Sequence, residues 1–167
     1  MQRRPFLTCA TAVACGLLLS TTAHAQTTIN VAGLADFAGP YANVMNDMQG
    51  GRLAVVDWWN KEVGEKLKVR IAVKTYDTRY DVAQTASLWP GIKAELKPAL
   101  VLGLGGPDAA ALQQRLPEDK VPMLFGTAAY GFGWKPGQWA LNIRPTYPHE
   151  AAGFVEWFRA TKLDGKR

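Results

Sequence analysis

The segment PALVLGLGGPDAAALQQRL, residues 98–116, indicates the fold class of the chain. It opens with an apolar run from Ala99 to Leu102, which is typical of a strand that is buried on both faces of a sheet. A glycine-rich turn follows, and Pro107 stands where a helix tolerates proline as its first residue. The segment therefore predicts a buried strand over 98–104, a tight turn, and a helix from Pro107 to about Leu116.

The same alternation of strand and helix extends to both sides of this segment. Short apolar or alternating runs predict four more strands, at 28–34, 69–76, 121–125 and 139–143. Patterns with helical spacing predict three more helices, at 40–61, from Asp81 onward, and at 148–161. Strands that alternate with helices at this spacing predict an α/β fold with a mostly parallel, doubly wound sheet.

Two of these helices carry more specific signals. Asp81 is expected to cap the second helix, and Pro90 is expected to kink that helix or divide it in two. In the first helix, apolar residues recur at steps of four, three, four and three, which places them on one face. These residues are Val44, Met48, Gly51, Val55 and Trp58.

Residues 1–25 are predicted to be an export signal, not part of the fold. Arg3 and Arg4 precede an apolar segment at 6–20, which is short for a membrane span. The small residues of Ala23-His24-Ala25 predict cleavage before Gln26. The arginine pair fits twin-arginine export about as well as the Sec pathway. We therefore expect a periplasmic product that begins at Gln26.

The composition excludes several classes of function. Both cysteines, Cys9 and Cys15, lie in the predicted signal, so the exported domain would have no disulfide and no thiol nucleophile. Lipid modification of Cys15 is the weaker alternative to cleavage after Ala25. Removal of the predicted signal, with its two arginines, lowers the formal net charge from +5 to +3, which is too small and too dispersed to indicate nucleic acid or an anionic membrane as a partner.

Enzymatic motifs are also absent from the sequence. His149 is the one histidine beyond the predicted signal, there is no Gly-x-Ser-x-Gly motif, and no residue cluster has metal-ligand spacing. Asp77 and Asp81 are more simply interpreted as a loop acid and a helix cap than as a catalytic pair. The turn at 103–108 fails the dinucleotide fingerprint, because Asp108 stands where a third glycine is needed. The sequence predicts neither catalysis nor a cofactor.

Binding chemistry is expected at the carboxyl ends of the strands, where open α/β sheets hold their ligands. Three loops lie there in the predicted topology: 36–41, 105–108 and 126–130. Each combines glycine and small residues with a helix start, whose free N–H groups attract carboxylates and phosphates. The alternative is that these residues only form the tight turns between strand and helix.

The ordered set of motifs resembles the type I periplasmic binding proteins of branched-chain amino-acid importers, the leucine-isoleucine-valine-binding family. The matching stretches include Asp36-Phe37-Ala38-Gly39-Pro40, Tyr76-Asp77-Thr78, and Asp119-Lys120-Val121-Pro122-Met123. The resemblance extends over about residues 28–158. It implies a flavodoxin-like lobe at 26–162, the N-terminal one of two, with 163–167 beginning the connection to a second lobe that is missing.

The resemblance also implies a function without catalysis. The protein would capture a small polar solute, such as an amino acid or an amide, between two lobes and deliver it to the permease and ATPase subunits of an ABC importer. By position in the family's loops, and with Tyr130 completing the last one, the expected ligand-binding residues are Phe37, Tyr41, Gly106, Asp108, Thr127, Ala128, Ala129 and Tyr130.

Two features of the sequence leave the function open. Amino-acid-binding members of the family commonly carry serine and threonine where this chain has Gly105-Gly106-Pro107-Asp108, so a polar, neutral or amine-bearing solute fits equally well. A ligand-sensing domain of a receptor or two-component system would share the fold, and a small exported α/β hydrolase is a further alternative. A single lobe would also expose the aromatics of segment 130–139, which predicts self-association.

Overall fold

The computed structural model of the protein describes residues 26–126 and 137–163, and its first half contains three strands and three helices. Strand β1 leads into helix α1, which continues through a π-helical turn at Asn60–Gly64 into the short helix α2. The bounds are β1 Thr27–Ala35, α1 Ala42–Trp59, α2 Glu65–Leu67, β2 Val69–Asp77, α3 Val82–Leu96 and β3 Leu100–Gly103.

The second half of the described chain begins with two short helices and ends with a long one. Its bounds are α4 Gly106–Leu112, α5 Leu116–Asp119, β4 Met123–Phe125, β5 Ala140–Asn142 and α6 Tyr147–Lys162. The five predicted strands are therefore present within two residues of their expected ends. The helix predicted from Pro107 to Leu116 is shorter than expected, because it ends at Leu112 and a separate turn of helix follows.

The five strands form one parallel sheet in the order β2-β1-β3-β4-β5. This is the flavodoxin-like order of a doubly wound sheet, so the predicted fold class is confirmed. β1 lies between β2 and β3, so Val31 pairs with Val73 of β2 and with Leu100 of β3. The predicted export signal lies outside the described residues.

One face of the sheet, here termed the core face, is covered over β1, β3, β4 and β5. Helices α3, α4 and α5 pack over it and exclude water from the inward side chains of four strands. Trp89 of α3 lies in this core and donates its indole N–H to a carboxylate oxygen of Asp119 at 2.7 Å. The buried strand residues of the core face are Ala32, Leu34, Val101, Met123, Phe125 and Ala140.

Helix α3 shows one confirmed signal and one correction. The Asp81 carboxylate accepts the N–H of Gln84 at 2.7 Å, so Asp81 is the predicted cap. The helix is not divided at Pro90 but runs unbroken from Val82 to Leu96. Proline at this position leaves the carbonyl of Ala86 without its helical donor, and the guanidinium of Arg115 donates to that carbonyl at 3.0 Å. A side chain from a distant part of the chain thus supplies the hydrogen bond that the Ala86 carbonyl lacks within the helix.

The opposite face of the sheet, here termed the open face, is covered only in part. Helix α1 packs over β1 and β2, where Gln49 donates to the Thr75 hydroxyl at 2.6 Å. Beyond α1, the outward side chains of β3 and β4 are half-buried, and those at the end of β5 are more exposed. The apolar residues of this uncovered area are Leu102, Leu124, Leu141 and Ile143.

The apolar stripe predicted on α1 does not face the sheet. Its members Val44, Met48, Val55 and Trp58 are exposed, and Met45 is the buried residue of this helix. Gln49 and Arg52 lie on the sheet side instead. Helix α6 likewise buries none of its residues. The exposed apolar residues of α1 and α6 and the open-face residues of β3–β5 therefore lie outside the core.

Candidate functional site

The carboxyl ends of the parallel strands meet at one rim of the sheet, and the loops that follow them form the candidate site. The structure describes the first rim loop (36–41), the second rim loop (78–81), and the third rim loop (104–106). The second was not among the predicted loops, although it contacts both of the others. The last of the three predicted loops, 126–130, lies almost entirely outside the described residues, and with it Thr127, Ala128, Ala129 and Tyr130.

The first rim loop is held from within by a buried carboxylate. Asp36 is fully buried, and its two oxygens accept the N–H of Gly39 at 2.5 Å and that of Tyr41 at 2.8 Å. Gly39 must be glycine because a Cβ there would lie 2.5 Å from both the Arg79 carbonyl oxygen and an Asp36 oxygen. The first rim loop is therefore packed closely against the second rim loop at Gly39.

This arrangement presents two aromatic residues to solvent at the rim. Phe37 and Tyr41, both predicted site residues, are 40% and 41% exposed. The Phe37 N–H donates to Asp77 at 3.1 Å, and the Tyr41 ring meets Tyr80 edge to face at 4.7 Å. The two rings are thus anchored through their backbone or their neighbours while one side of each remains available to a ligand.

The third rim loop is built around a second buried carboxylate, Asp108. One oxygen accepts the N–H groups of Leu104 at 2.7 Å and Gly105 at 3.2 Å. The other accepts the hydroxyls of Thr78 at 3.3 Å and Thr85 at 3.1 Å. Burial raises the pKa of Asp108 above its ordinary value, while these four donors oppose that rise. Thr78 also donates to the Ala35 carbonyl at 3.1 Å, which links all three loops.

The position of Asp108 changes its expected role. Sequence reasoning placed this carboxylate at the ligand, where it would repel an anion, but its side chain has no exposed surface. It therefore shapes the loop from beneath and contacts a ligand only through the backbone that it holds. Gly106, also predicted in the site, is buried as the first residue of α4. The spacing of Gly105 and Asp108, a helix cap and its third residue, is the signal that could have shown this inward role.

A cleft of about 320 Å³ opens beside the rim on the α1 side of the sheet. Its walls come from the ends of β3, β4 and β5 and from the middle of α1. Apart from glycine backbone and one arginine, its lining side chains are apolar: Met48, Leu102, Leu104, Leu124 and Ile143. Neither this cleft nor any of these residues was predicted as a site from the sequence, because the residues are spread over four elements.

Arg52 is the one charged side chain of that cleft. Its Nη1 donates to the Leu34 carbonyl and to the Gln49 amide oxygen, both at 3.4 Å. Burial lowers the pKa of this guanidinium below its usual value, and the negative charge of Asp108 opposes the shift. Within the described ranges, no carboxylate forms an ion pair with Arg52. The cleft therefore combines apolar walls with one partly desolvated cation.

The acids once considered for catalysis have structural roles. Asp77 accepts the N–H groups of Phe37 and Arg79, and Asp81 caps α3. His149 lies at the start of α6, where its Nδ1 is 2.6 Å from the Thr146 hydroxyl. No group of histidine, cysteine or acidic residues in the described part of the chain could hold a metal ion. No helix within that same part is long and apolar enough to cross a membrane.

Comparison with known proteins identifies related folds. A family model described as periplasmic binding protein matches residues 28–167. Among solved structures, an ABC transporter substrate-binding protein of Aeropyrum pernix is 20% identical, with a TM-score of 0.70 over 81% of this chain and 36% of its own. A possible leucine/isoleucine/valine-binding protein of Rhodopirellula baltica is 22% identical, with a TM-score of 0.70 over 83% of this chain and 37% of its own.

A third structure contains a bound solute. It is a solute-binding protein of an ABC transporter from Rhodopseudomonas palustris in complex with p-hydroxybenzoic acid. It is 22% identical, with a TM-score of 0.66 over 81% of this chain and 36% of its own length. This chain therefore spans little more than a third of each of these structures. No curated protein matches the chain.

Proposed function

Because the chain belongs to the periplasmic binding protein family, we propose that it is the solute-capturing lobe of an exported binding protein that serves an ABC importer. The rim carries the proposal: Asp36 and Asp108 are buried beneath two loops, and their hydrogen bonds fix the loop backbone before any ligand arrives. A site whose shape is already fixed loses little entropy when a solute binds. The proposed activity is capture and delivery, without catalysis.

Within this proposal, the solute contacts the rim through aromatic rings and backbone groups. Phe37 and Tyr41 supply flat apolar surface, and the backbone at Gly105 and Gly106 lies at the start of α4. Thr127, Ala128, Ala129 and Tyr130 remain proposed contacts from the sequence. Thr127 is the proposed side-chain donor, because a hydroxyl can pair with either sign of ligand charge.

The remaining parts of the proposal concern the place of action and the partners. The signal at residues 1–25 supports periplasmic export with cleavage after Ala25. A permease and an ATPase are the proposed recipients of the solute. Delivery requires closure of a second lobe over the ligand, because a ligand stabilises a closed state only through contacts that it makes there. Residues 26–167 purified by themselves would leave the rim in water, so we expect this segment to bind far more weakly than a two-lobe relative.

The proposal is tested by solute binding to the purified protein. A panel of amino acids, amides, amines and carboxylic acids is screened by ligand-observed NMR, which detects weak binding, and positive solutes are titrated by calorimetry. We expect at least one class to bind, and Thr127→Val to cost about 1–3 kcal/mol of binding if its partner group is left buried and unpaired. An unchanged affinity would remove Thr127 from the site. Absence of binding across all classes would refute the proposed function.

A further inference from the structure

The open face of the sheet carries a second feature that the rim does not explain, the cleft around Arg52. Its walls are apolar, and its volume of about 320 Å³ lies within the range of small-ligand sites. A purely apolar groove does not determine the orientation of a solute within it. A single cation in such a groove does determine it, because the cation attracts an anionic or polar end of the solute.

The hydrogen bonds of Arg52 leave most of its binding capacity unused. A guanidinium has five N–H donors, and both of the bonds described above start from the same nitrogen, Nη1, at the long distance of 3.4 Å. Across residues 26–126 and 137–163, no hydrogen bond from its other nitrogens is present. The planar fork is therefore available to an acceptor that enters the cleft.

The chemistry of the cleft limits what that acceptor is. Guanidinium binds carboxylate through two parallel hydrogen bonds, which are stronger than bonds to a neutral carbonyl. The nearby carboxylate of Asp108 disfavours a group that carries two negative charges, such as a phosphate dianion. The walls formed by Met48, Leu124 and Ile143 favour an apolar remainder over a hydroxylated one.

We propose that Arg52 determines the specificity of this lobe, and that the solute is an apolar carboxylic acid whose carboxylate pairs with Arg52 while its hydrocarbon part fills the cleft. The proposal rests on the proposed function as a solute-capturing lobe and names the class of solute. It differs from the rim contacts in placing the determining residue in the third turn of α1, on the sheet side of that helix.

The test compares solutes that differ only in charge. Benzoate is compared with benzamide, and 4-methylpentanoate with 4-methylpentanamide, by NMR titration of the purified protein. We expect each carboxylate to bind at least tenfold more tightly than its amide. Signals of the Ile143 methyl groups, within the cleft, should shift during the titration. Equal affinities within each pair would overturn the proposal for Arg52, while binding of either member would leave the proposed function standing.

Variants then assign the effect to one residue. Arg52→Gln should abolish the preference for carboxylate, because it weakens carboxylate binding much more than amide binding, and Arg52→Lys should retain part of the preference. Arg70→Gln is the matched control, because Arg70 is an exposed arginine of β2 in a separate depression with Gln26 and Asp57. A carboxylate preference that persists in Arg52→Gln would overturn the proposal. Circular dichroism checks that each variant folds, and if Arg52→Gln does not, the wild-type pairs and Arg52→Lys decide the outcome.

A failure to bind has a separate meaning. If neither the four probes nor the wider solute panel bind, the proposed function fails and the Arg52 proposal fails with it. If only amines or neutral solutes bind, capture is supported and the carboxylate is excluded.

Discussion

The two faces of the sheet differ in how far their apolar side chains are buried. On the core face, Leu34 is fully buried beneath helices that the chain forms between its own consecutive strands. On the open face, Leu141 of β5 remains 49% exposed. The core face completes a hydrophobic core with local crossovers, whereas the open face retains apolar surface for contacts outside that core. Stability is therefore expected to depend on the first face and binding on the second.

The largest difference in stability is expected between two leucine variants, one on each face of the sheet. Leu34→Ala removes a fully buried side chain from β1 and should lower the free energy of unfolding by about 2–5 kcal/mol. Leu141→Ala removes the same atoms from the exposed side of β5 and should cost less than about 1 kcal/mol, because little surface leaves water there. Urea denaturation followed by circular dichroism measures both. Similar losses in the two variants would show that the open face is buried in solution.

Removal of the buried carboxylate of Asp108, at the rim of the sheet, should have the next largest effect on stability. Asp108→Asn replaces an acceptor of four hydrogen bonds by a group with one acceptor atom, so buried donors lose their partner. We expect a loss of about 2–3 kcal/mol at neutral pH. A loss below about 0.5 kcal/mol would mean that the carboxylate does not hold the third rim loop.

The sign of the pH dependence sharpens this prediction. Burial raises the pKa of Asp108 above its ordinary value of 3.8, so between that value and the raised one the folded state keeps a proton that the unfolded state has lost. The contribution of Asp108 to stability should therefore fall as pH rises through this window. Asp119, whose pKa is lowered by its hydrogen bond with Lys93, should show the opposite slope. Each slope is obtained by subtracting the urea stability of the matching asparagine variant at each pH.

A smaller effect is expected at the interruption in α3. The Arg115 guanidinium donates to the carbonyl that Pro90 leaves unpaired. Arg115→Met keeps the apolar stem and removes the donor, and should cost about 0.5–1.5 kcal/mol in thermal or urea denaturation. In a Pro90→Ala background the carbonyl regains its helical donor, so the same substitution should cost less. An equal cost in both backgrounds would show that Arg115 acts elsewhere.

Much of the core face could be predicted from the sequence, because its signals are local. The apolar run at 99–102, the proline at 107 and the aspartate at 81 each act within a few residues, and strands and caps are decided at that range. The uninterrupted helix at Pro90 could not be predicted, because its compensation comes from Arg115, which is distant in the sequence. Helix propensity accounts for the N–H donor that a proline lacks, but not for a donor that a side chain from another helix supplies in its place.

The open face and the candidate site depend on contacts between elements that are distant in the sequence, and a local sequence pattern does not predict such contacts. The periodicity of α1 predicts that Val44, Met48, Val55 and Trp58 share a face of the helix. It does not predict whether that face packs against the sheet or remains exposed. The rim loops were located by the rule for parallel sheets, whereas the inward direction of Asp108 depends on Thr78 and Thr85 from other elements. Arg52 was missed because a single arginine within a helix is usually a solvated side chain.

The smallest expected change in stability concerns the exposed stripe of α1. Val55 and Trp58 are 64% and 59% exposed, so replacing both by serine removes little buried contact and should change the free energy of unfolding by less than about 1 kcal/mol. The same change should reduce self-association, because an apolar patch of this kind favours contact between copies. Light scattering at increasing concentration measures the mass, with exposed Lys66→Ser of α2 as the control for a surface change. A large loss of stability would place the stripe in a core, and unchanged association would assign the contact between copies to another surface, such as the aromatic residues of segment 130–139.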